Sequence, residues 1–391
     1  MFRPYRVVAV LTLAAALTLL TVEPSPSPPT AAVTLELPSY KGLNYGVPLT
    51  LNGDWVGTAW LGVDQWPTVY AAMAADLSFV QARHLGRVVR LFLAIDQMME
   101  SDSQGRFVRF DEDALARLDK ALDLFDAHQI RVIGVLFDQE VRSSPGNFRF
   151  AAIDGRHPAM RSGYLVAAQQ FLRRYQHRRT IAGWDLFNEA YASLGTTAGL
   201  PRPPAPDPVS PGYPTGLVHQ FLRDLYLAAK QAQPDAPLTV SDATLYWQPQ
   251  ADRSIYDDIL DFYDVHIYDD HPNLTNLRAI LDKPFIIGEA GAAVEGNAFT
   301  NQEVEPGVVK SILEQGGRAG ASAVLIHSIA SQNIFPSTRD RLTPTGEVLA
   351  AYQETHGGSA EWPIVPIAPS LVGFVTARST DCTRYPGRAA A

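Results

Sequence analysis

The stretch DEDALARLDKALDLFDAHQIRVIGVLFD, residues 111–138, joins an amphipathic segment to a short apolar run. Leu115, Leu118, Leu122 and Phe125 recur at helical spacing, which predicts a helix with one buried face. The run IRVIGVLFD that follows contains several β-branched residues, so it predicts a strand. Because this run is almost continuously apolar, we expect a strand that is covered on both faces, as in a parallel sheet.

The same alternation continues in both directions along the chain. Seven further runs are KGLNY from Lys41, RVVRLFLAI from Arg87, IAGWDLF from Ile181, PLTVSD from Pro237, FYDVHIY from Phe262, PFIIGEA from Pro284 and ASAVLIHSI from Ala321. Eight strand–helix repeats in roughly 320 residues predict an α/β fold, a (β/α)8 TIM barrel, in a single domain over residues 33–356. An open doubly wound sheet is the alternative, but GLNYG lacks the glycine-rich phosphate turn that such sheets carry after their first strand.

The two ends of the chain have a different composition. Arg3 and Arg6 precede the apolar stretch Val7–Val22, which is typical of a secretory signal peptide, and a Pro/Ser-rich spacer follows up to residue 32. An uncleaved membrane anchor is the alternative, although the apolar run is short for a full span. Residues 1–32 therefore predict a secreted or cell-envelope protein. Residues 357–391 form a C-terminal tail without an assigned role, and a proline-rich loop over 195–216 follows the fourth strand.

The composition excludes several classes of protein. The hydrophobic share of 46% supports a buried core and argues against disorder. The net charge of -9 and the lack of basic runs argue against a nucleic-acid partner. The single cysteine, Cys382, can form neither an internal disulfide nor a thiolate metal site. We expect no metal and no cofactor, and the sequence does not indicate an oligomeric state.

Polar residues stand at the ends of the predicted strands, where a barrel of this type has its active site. In chain order they are Arg90, Asp96, Asp138, Glu140, Asn188, Glu189, Asp242, His266, Tyr268, Glu289, His327 and Ser328. Arg90 lies among apolar residues inside its strand and therefore requires an acidic partner. His266 and Tyr268 are two residues apart and are expected to share a face of their strand.

Each of these signals taken alone also has a structural explanation. Asn188 and Glu189 could simply cap a helix, and GEAG around Glu289 could be a turn. Together, however, two glutamates across one barrel mouth are what glycoside cleavage needs. One carboxyl group must be ionised to attack the anomeric carbon, and the other must be protonated to donate to the leaving oxygen. Because strict strand alternation would send Asn188 and Glu189 to opposite faces, the strand is expected to break or bulge between them.

Four motifs in order, VVRLFL, WDLFNEA, VHIY and IIGEAG, resemble those of clan-A retaining glycoside hydrolases, the cellulase-like family five or a close relative. The resemblance spans Lys41 to about Ser328. It implies a retaining β-glycoside hydrolase that cleaves glucan- or mannan-type poly- or oligosaccharides by double displacement. It further implies Glu189 as acid/base and Glu289 as nucleophile, with the two carboxyl groups about 5–5.5 Å apart.

The resemblance also implies supporting roles. Asn188 would contact the sugar 2-hydroxyl, Arg90 and Tyr268 would orient Glu289 and keep it ionised, and His266 would be a supporting polar residue. The sequence departs from the family at the end of the eighth strand, where the family commonly has a tryptophan as the floor of the sugar site and the nearest residues here are His327 and Ser328. Aromatic residues that could stack on a sugar instead are Trp55, Trp60, Trp66, Tyr246 and Trp247.

Three alternative functions remain. A metal-dependent barrel hydrolase could use HIYDDH, with His266, Asp269, Asp270 and His271, but the first strand has no His-x-His pair. A carbohydrate-binding barrel that has lost turnover is disfavoured because both glutamates are present. A transglycosylase would use the same residues, since the only difference is whether water or a sugar reaches the intermediate.

Overall fold

The computed structural model describes residues 35–45, 66–93, 95–137, 158–190, 195–196, 213–247, 256, 258–275, 277–292, 302–327 and 333–353. These residues all belong to one compact unit, residues 32–364. The predicted signal and spacer over 1–32, most of the proline-rich loop and the tail over 357–391 lie outside the described residues, as do Trp55 and Trp60. The predictions made for them remain predictions.

All eight predicted strands are present. They are β1 (Lys41–Tyr45), β2 (Val88–Phe92), β3 (Arg131–Val135), β4 (Ile181–Asp185), β5 (Leu238–Thr239 and Ser241–Asp242), β6 (Tyr263–Tyr268), β7 (Phe285–Gly291) and β8 (Val324–Ile326). The strand β5 consists of two short segments on either side of Val240. Neighbouring strands pair in parallel throughout.

The order of the strands shows a closed barrel. The first segment of β5 pairs with β4 and its second segment pairs with β6. Between them the order runs from β6 through β7, β8, β1, β2 and β3 to β4. Both ends of the sheet are thus halves of the same strand, so the sheet closes on itself. The predicted (β/α)8 barrel is confirmed, and the open doubly wound sheet is wrong.

A helix follows each strand along the chain. The helices are α1 (Trp66–Ala82), α2 (Glu112–Ala127), α3 (Pro158–Tyr175), α4 (Thr215–Ala232), α5 (Thr244–Trp247), α6 (Leu277–Ile280), α7 (Glu305–Ala319) and α8 (Pro344–Ala351). The helix α2 has the amphipathic pattern expected, with Leu115, Leu118, Leu122 and Phe125 all buried. Asp111 caps it by accepting hydrogen bonds from the backbone N–H groups of residues 113 and 114.

The barrel interior is apolar at its amino end and polar at its carboxyl end. Val88, Phe262 and Ile286 belong to a small apolar cluster that includes Leu35 and Leu37 from the segment before β1. Two residues further along β2, on the same face as Val88, comes Arg90, which is fully buried. The larger core cluster packs the outer helices onto the sheet. Within the described ranges, no helix combines the length and hydropathy needed to cross a bilayer.

Candidate active site

Arg90 is the centre of the polar layer at the carboxyl end of the barrel. Its Nη1 donates to Oε1 of Glu289 at 2.6 Å, and its Nη2 donates to Oδ2 of Asp185 at 2.6 Å. Its Nε lies 3.4 Å from Oδ2 of Asp264. A single buried cation thus faces three carboxylates from three strands. The expectation that Arg90 has an acidic partner is confirmed.

Glu289, on β7, is held at both carboxylate oxygens. Arg90 donates to Oε1, and the hydroxyl of Tyr268 donates to Oε2 at 2.5 Å. Burial by itself would raise the pKa of Glu289, but the positive charges of His266 and Arg90 and the hydrogen bond from Tyr268 outweigh it and lower the pKa to about 2. Glu289 is therefore an ionised carboxylate over the whole ordinary pH range.

Asn188 and Glu189 follow the end of β4, and the backbone turns between them. The strand ends at Asp185, and Glu189 has a φ of 48°, in the left-handed region. Asn188 accepts a hydrogen bond from Arg90 Nη2 at 2.6 Å, while Oε1 of Glu189 lies 2.9 Å from Nδ1 of His266. The strand therefore ends earlier than expected, before both residues, and the left-handed turn at Glu189 directs the two side chains to different partners.

His266 connects the two glutamates. Its Nδ1 is 2.9 Å from Oε1 of Glu189 and 3.5 Å from Oε2 of Glu289. Burial would lower the pKa of His266, but the negative charge of Glu289 and the contact with Glu189 raise it to about 9. At neutral pH the ring is therefore an imidazolium between two carboxyl groups. Tyr268 stays protonated, because burial and the charge of Glu289 raise its pKa well above its ordinary value.

The titration of His266 has a consequence for stability. A folded-state pKa of about 9, above the ordinary 6.5, means that His266 stabilises the fold fully below about pH 6.5 and loses this contribution as the pH rises through 9. Denaturant unfolding at about pH 6 and pH 9.5 should show the wild-type protein losing on the order of 3 kcal/mol more than His266→Gln. The variant His84→Gln, at an exposed histidine, should behave like the wild type. Equal pH dependence in His266→Gln and wild type would contradict the assigned pKa.

Four residues of the site were not predicted from the sequence. Asp185 and Asp264 are fully buried partners of Arg90, and Ser241 accepts from Arg90 Nη2 at 2.9 Å. Asn44, at the end of β1, accepts from Arg90 and donates to the carbonyl of Gly288 at 2.6 Å. Only Asp264 had a sequence signal: it lies two residues before His266 and so shares its face of β6.

The structure describes the side chains of some of the remaining predicted site residues and not of others. His327 lies at the end of β8 with its ring edge-on to Tyr268, at a centroid distance of 5.9 Å. Burial lowers the pKa of His327, which keeps its ring neutral. The backbone of Trp247 lies in α5, but its side chain is outside the description. The ring of Trp66 lies against Tyr70 of its own helix, tilted by 48° at a centroid distance of 5.7 Å.

The predicted metal-binding alternative does not match the described geometry. Asp269 accepts hydrogen bonds from the hydroxyl of Tyr246 and the backbone N–H of His271. In the part of the chain that the structure describes, the one group able to offer three metal ligands is Glu189, His266 and Glu289. Their ligand atoms lie within 4.8 Å of one another. HIYDDH thus contributes only His266 to this group, and both oxygens of Glu289 already accept hydrogen bonds.

Comparisons with known proteins agree with this architecture. No protein-family model and no curated protein matches the sequence. Among solved structures, a β-mannanase from the blue mussel Mytilus edulis has a TM-score of 0.59 at 20% identity, covering 85% of this chain and 100% of its own. A β-1,4-mannanase from the sea hare Aplysia kurodai has a TM-score of 0.58 at 16% identity, covering 83% and 96%.

A third similar structure is GH5_18 from Streptomyces cattleya, solved in complex with GlcNAc. Its TM-score is 0.55 at 17% identity, and the match covers 81% of this chain and 80% of that one. Similarity at these identities is a similarity of fold. The chain thus has the (β/α)8 barrel fold of these structures, in agreement with the resemblance to the cellulase-like family five that its four strand-end motifs indicate.

Proposed function

We propose that this chain is a retaining β-glycoside hydrolase that acts on mannan- or glucan-type poly- or oligosaccharides. One observation carries the proposal: a carboxylate oxygen of Glu189 and one of Glu289 lie within 4.8 Å of each other. Retaining enzymes need this close spacing, because one carboxylate must itself reach the anomeric carbon. Inverting enzymes need a wider gap, since a water molecule must fit between the carboxylate and the sugar.

In the first step Glu289 acts as the nucleophile. Its carboxylate attacks the anomeric carbon, while Glu189 donates a proton to the glycosidic oxygen and the bond between that oxygen and the carbon breaks. Arg90 and Tyr268 each donate a hydrogen bond to Glu289, which keeps the carboxylate ionised and correctly directed before attack. A covalent glycosyl-enzyme intermediate results.

In the second step Glu189 acts as a base toward water. It removes a proton from a water molecule that attacks the anomeric carbon, and the carboxylate of Glu289 leaves. Two inversions at the same carbon give net retention. A transglycosylase would pass through the same intermediate, with a sugar hydroxyl in place of water. No contact of the described residues favours that acceptor, so hydrolysis is the function proposed.

The similar structures give the first substrate class to test. Two of the similar structures are mannanases, which makes β-1,4-linked mannan the first polysaccharide to test. His327 stands where the family has an aromatic floor, and its neutral ring is edge-on to Tyr268. We also propose, from the sequence of residues 1–32, that the protein is exported and meets its substrate outside the cytoplasm.

A substrate screen tests this function. Purified protein is incubated with β-1,4-mannan, a β-glucan, and aryl β-mannosides and β-glucosides, and the release of reducing sugar or phenol is followed. We expect turnover of at least one β-linked substrate, highest on the mannan type. Glu189→Gln is the matched control and should lose turnover of the polysaccharides. Folded wild-type protein that cleaves none of these substrates would contradict the proposal.

A further inference from the structure

The side chains of Arg90, Asp264 and His266 meet on the side of the His266 ring that faces away from Glu189. Oδ1 of Asp264 lies 3.7 Å from Nε2 of His266, and its Oδ2 lies 3.4 Å from Nε of Arg90. All three side chains have 0% exposure. Among the described residues, none of these atoms makes a hydrogen bond of acceptable geometry. Asp264 is therefore a fully buried carboxylate that is held by charge alone, between the two cations of the site.

The neighbouring strand is shaped to admit this carboxylate. A Cβ atom on Gly288 would lie 1.7 Å from Oδ1 of Asp264, so only glycine fits at the position before Glu289. A buried carboxylate without hydrogen bonds is costly for stability. A polar group that is costly for the fold and lies beside reacting groups points to a role in the site chemistry.

We propose that Asp264 is a positioning residue that acts through His266: it keeps a proton on Nε2, so that Nδ1 is the nitrogen that exchanges a proton with Glu189. This inference rests on the proposed function of Glu189 as acid and base. Asp264 itself is fully buried and lies on the Nε2 side of the His266 ring.

The need for such a residue follows from the surroundings of Nδ1. Nδ1 faces Glu189 at 2.9 Å and Glu289 at 3.5 Å, and these two carboxyl groups alone would hold the last ring proton on Nδ1. The carboxylate of Asp264 competes from the opposite side by attracting the proton on Nε2. When the imidazolium loses one proton, the neutral ring that remains then carries its hydrogen on Nε2.

The proton exchange balances over one catalytic cycle. The N–H bond at Nδ1 breaks and an O–H bond forms on Glu189, which passes the proton to the leaving oxygen as the glycosidic bond breaks. In the second step Glu189 takes a proton from the attacking water and can return it to Nδ1. His266 and Glu189 thus hold one shared proton, and Asp264 determines which ring nitrogen releases it.

The charge around His266 is consistent with this arrangement. The titratable groups that interact with it are Arg90, Glu189, Asp264, Glu289 and His327. Asp185 and Tyr268 act on it only through the groups that they contact, Arg90 and Glu289. Burial raises the pKa of Asp264 to about 7, against the effect of Arg90 and His266. Between this value and the pKa of about 9 for His266, the ring is charged and Asp264 is ionised.

The first test does not depend on enzyme activity. NMR of protein labelled with nitrogen-15 in its histidines reports the pKa and the tautomer of His266, with its signals assigned through His266→Gln. In the wild type, we expect the neutral ring above pH 9 to carry its proton on Nε2. Asp264→Asn should lower the pKa of His266 by about 1 or more. Asp282→Asn, which removes the charge of the carboxylate that accepts from Tyr263 at the other end of β6, should leave it unchanged.

Two outcomes of the NMR experiment would overturn the inference. One is a wild-type neutral ring with its proton on Nδ1, and this readout stands even if Asp264→Asn does not fold. The other is an unaltered His266 titration in folded Asp264→Asn.

The second test separates proton delivery from general damage to the site. In Asp264→Asn, kcat/KM, which reports formation of the glycosyl-enzyme, should fall about 10- to 100-fold for alkyl β-glycosides, whose leaving group requires protonation. For dinitrophenyl β-glycosides, which leave without protonation, kcat/KM should fall less than about threefold. Equal losses on both substrates would mean a structural role and would sink the inference. If the wild type cleaves neither substrate, the proposed function fails, while the NMR result still decides on Asp264.

Discussion

Glu289→Gln is expected to lower kcat/KM for aryl β-glycosides and β-linked polysaccharides by at least about 10³-fold, with the fold retained. An amide is not a nucleophile toward the anomeric carbon, so the covalent intermediate cannot form. The fold should survive because Arg90 keeps two other carboxylates, Asp185 and Asp264, after Glu289 loses its charge. Initial rates together with far-UV circular dichroism and a thermal melt measure both effects.

A matched pair of alanine variants provides the control for this prediction. With azide as an external nucleophile, Glu289→Ala should form the α-glycosyl azide, because the anion enters from the face that the carboxylate has vacated. Glu189→Ala should form the β-glycosyl azide, since Glu289 still makes the intermediate that azide then opens. Near-normal activity in Glu289→Gln, or the same azide anomer from both variants, would contradict the roles assigned to the two glutamates.

Arg90→Met is expected to destabilise the protein by about 3–5 kcal/mol, the largest effect on stability that we predict. The substitution keeps the approximate length of the side chain but leaves Asp185, Asp264 and Glu289 buried without their shared cation. Part of these charges would be neutralised by proton uptake, so the loss should be smaller at low pH. Urea denaturation at pH 5 and pH 8 measures both the loss and its pH dependence.

An exposed ion pair supplies the comparison for Arg90. Arg106 pairs with Asp102 at 2.7 Å, with a side chain that is 62% exposed. Arg106→Met should therefore leave the urea midpoint close to that of the wild type. If Arg90→Met unfolds at the same denaturant concentration as Arg106→Met, the ion pairs of Arg90 with its three buried carboxylates do not stabilise the barrel.

The barrel could be predicted from local sequence pattern because each strand of a parallel sheet is covered on both faces and reads as a short apolar run. The division of β5 around Val240 could not, since PLTVSD contains neither a glycine nor a change of pattern at that point. The division of β5 depends on the closure of the barrel, because this strand must pair with β4 at its start and with β6 at its end.

Part of the candidate site could likewise be predicted from the sequence, and part of it could not. An arginine inside an apolar strand already requires an acid, so the need for a partner of Arg90 could be predicted. Its partners Asp185 and Ser241 could not, because they depend on which strands are neighbours and on how far each strand reaches along the barrel axis. The turn at Glu189 could be predicted from the sequence, because the side chains of Asn188 and Glu189 point to opposite faces of a regular strand.

The expectations for the aromatic residues stay predictions. Trp66 and Tyr246 were candidates for stacking on a sugar; the ring of Trp66 lies against Tyr70 and the hydroxyl of Tyr246 donates to Asp269, and neither contact decides whether the ring also meets a sugar. Aromatic residues in loops serve packing as readily as ligand binding, and composition does not separate the two uses. His327 is different, since its position at the end of β8 fixes its place beside Tyr268.

Trapping of the covalent intermediate tests the central claim most directly. A 2-deoxy-2-fluoro-β-mannosyl fluoride should react once and stop, because fluorine at C2 slows both steps while fluoride remains a good leaving group. Mass spectrometry of the intact protein should then show one added sugar, and peptide mapping should place it on Glu289. A sugar attached to another residue would contradict the account. So would the absence of an adduct in a protein that cleaves the parent mannoside.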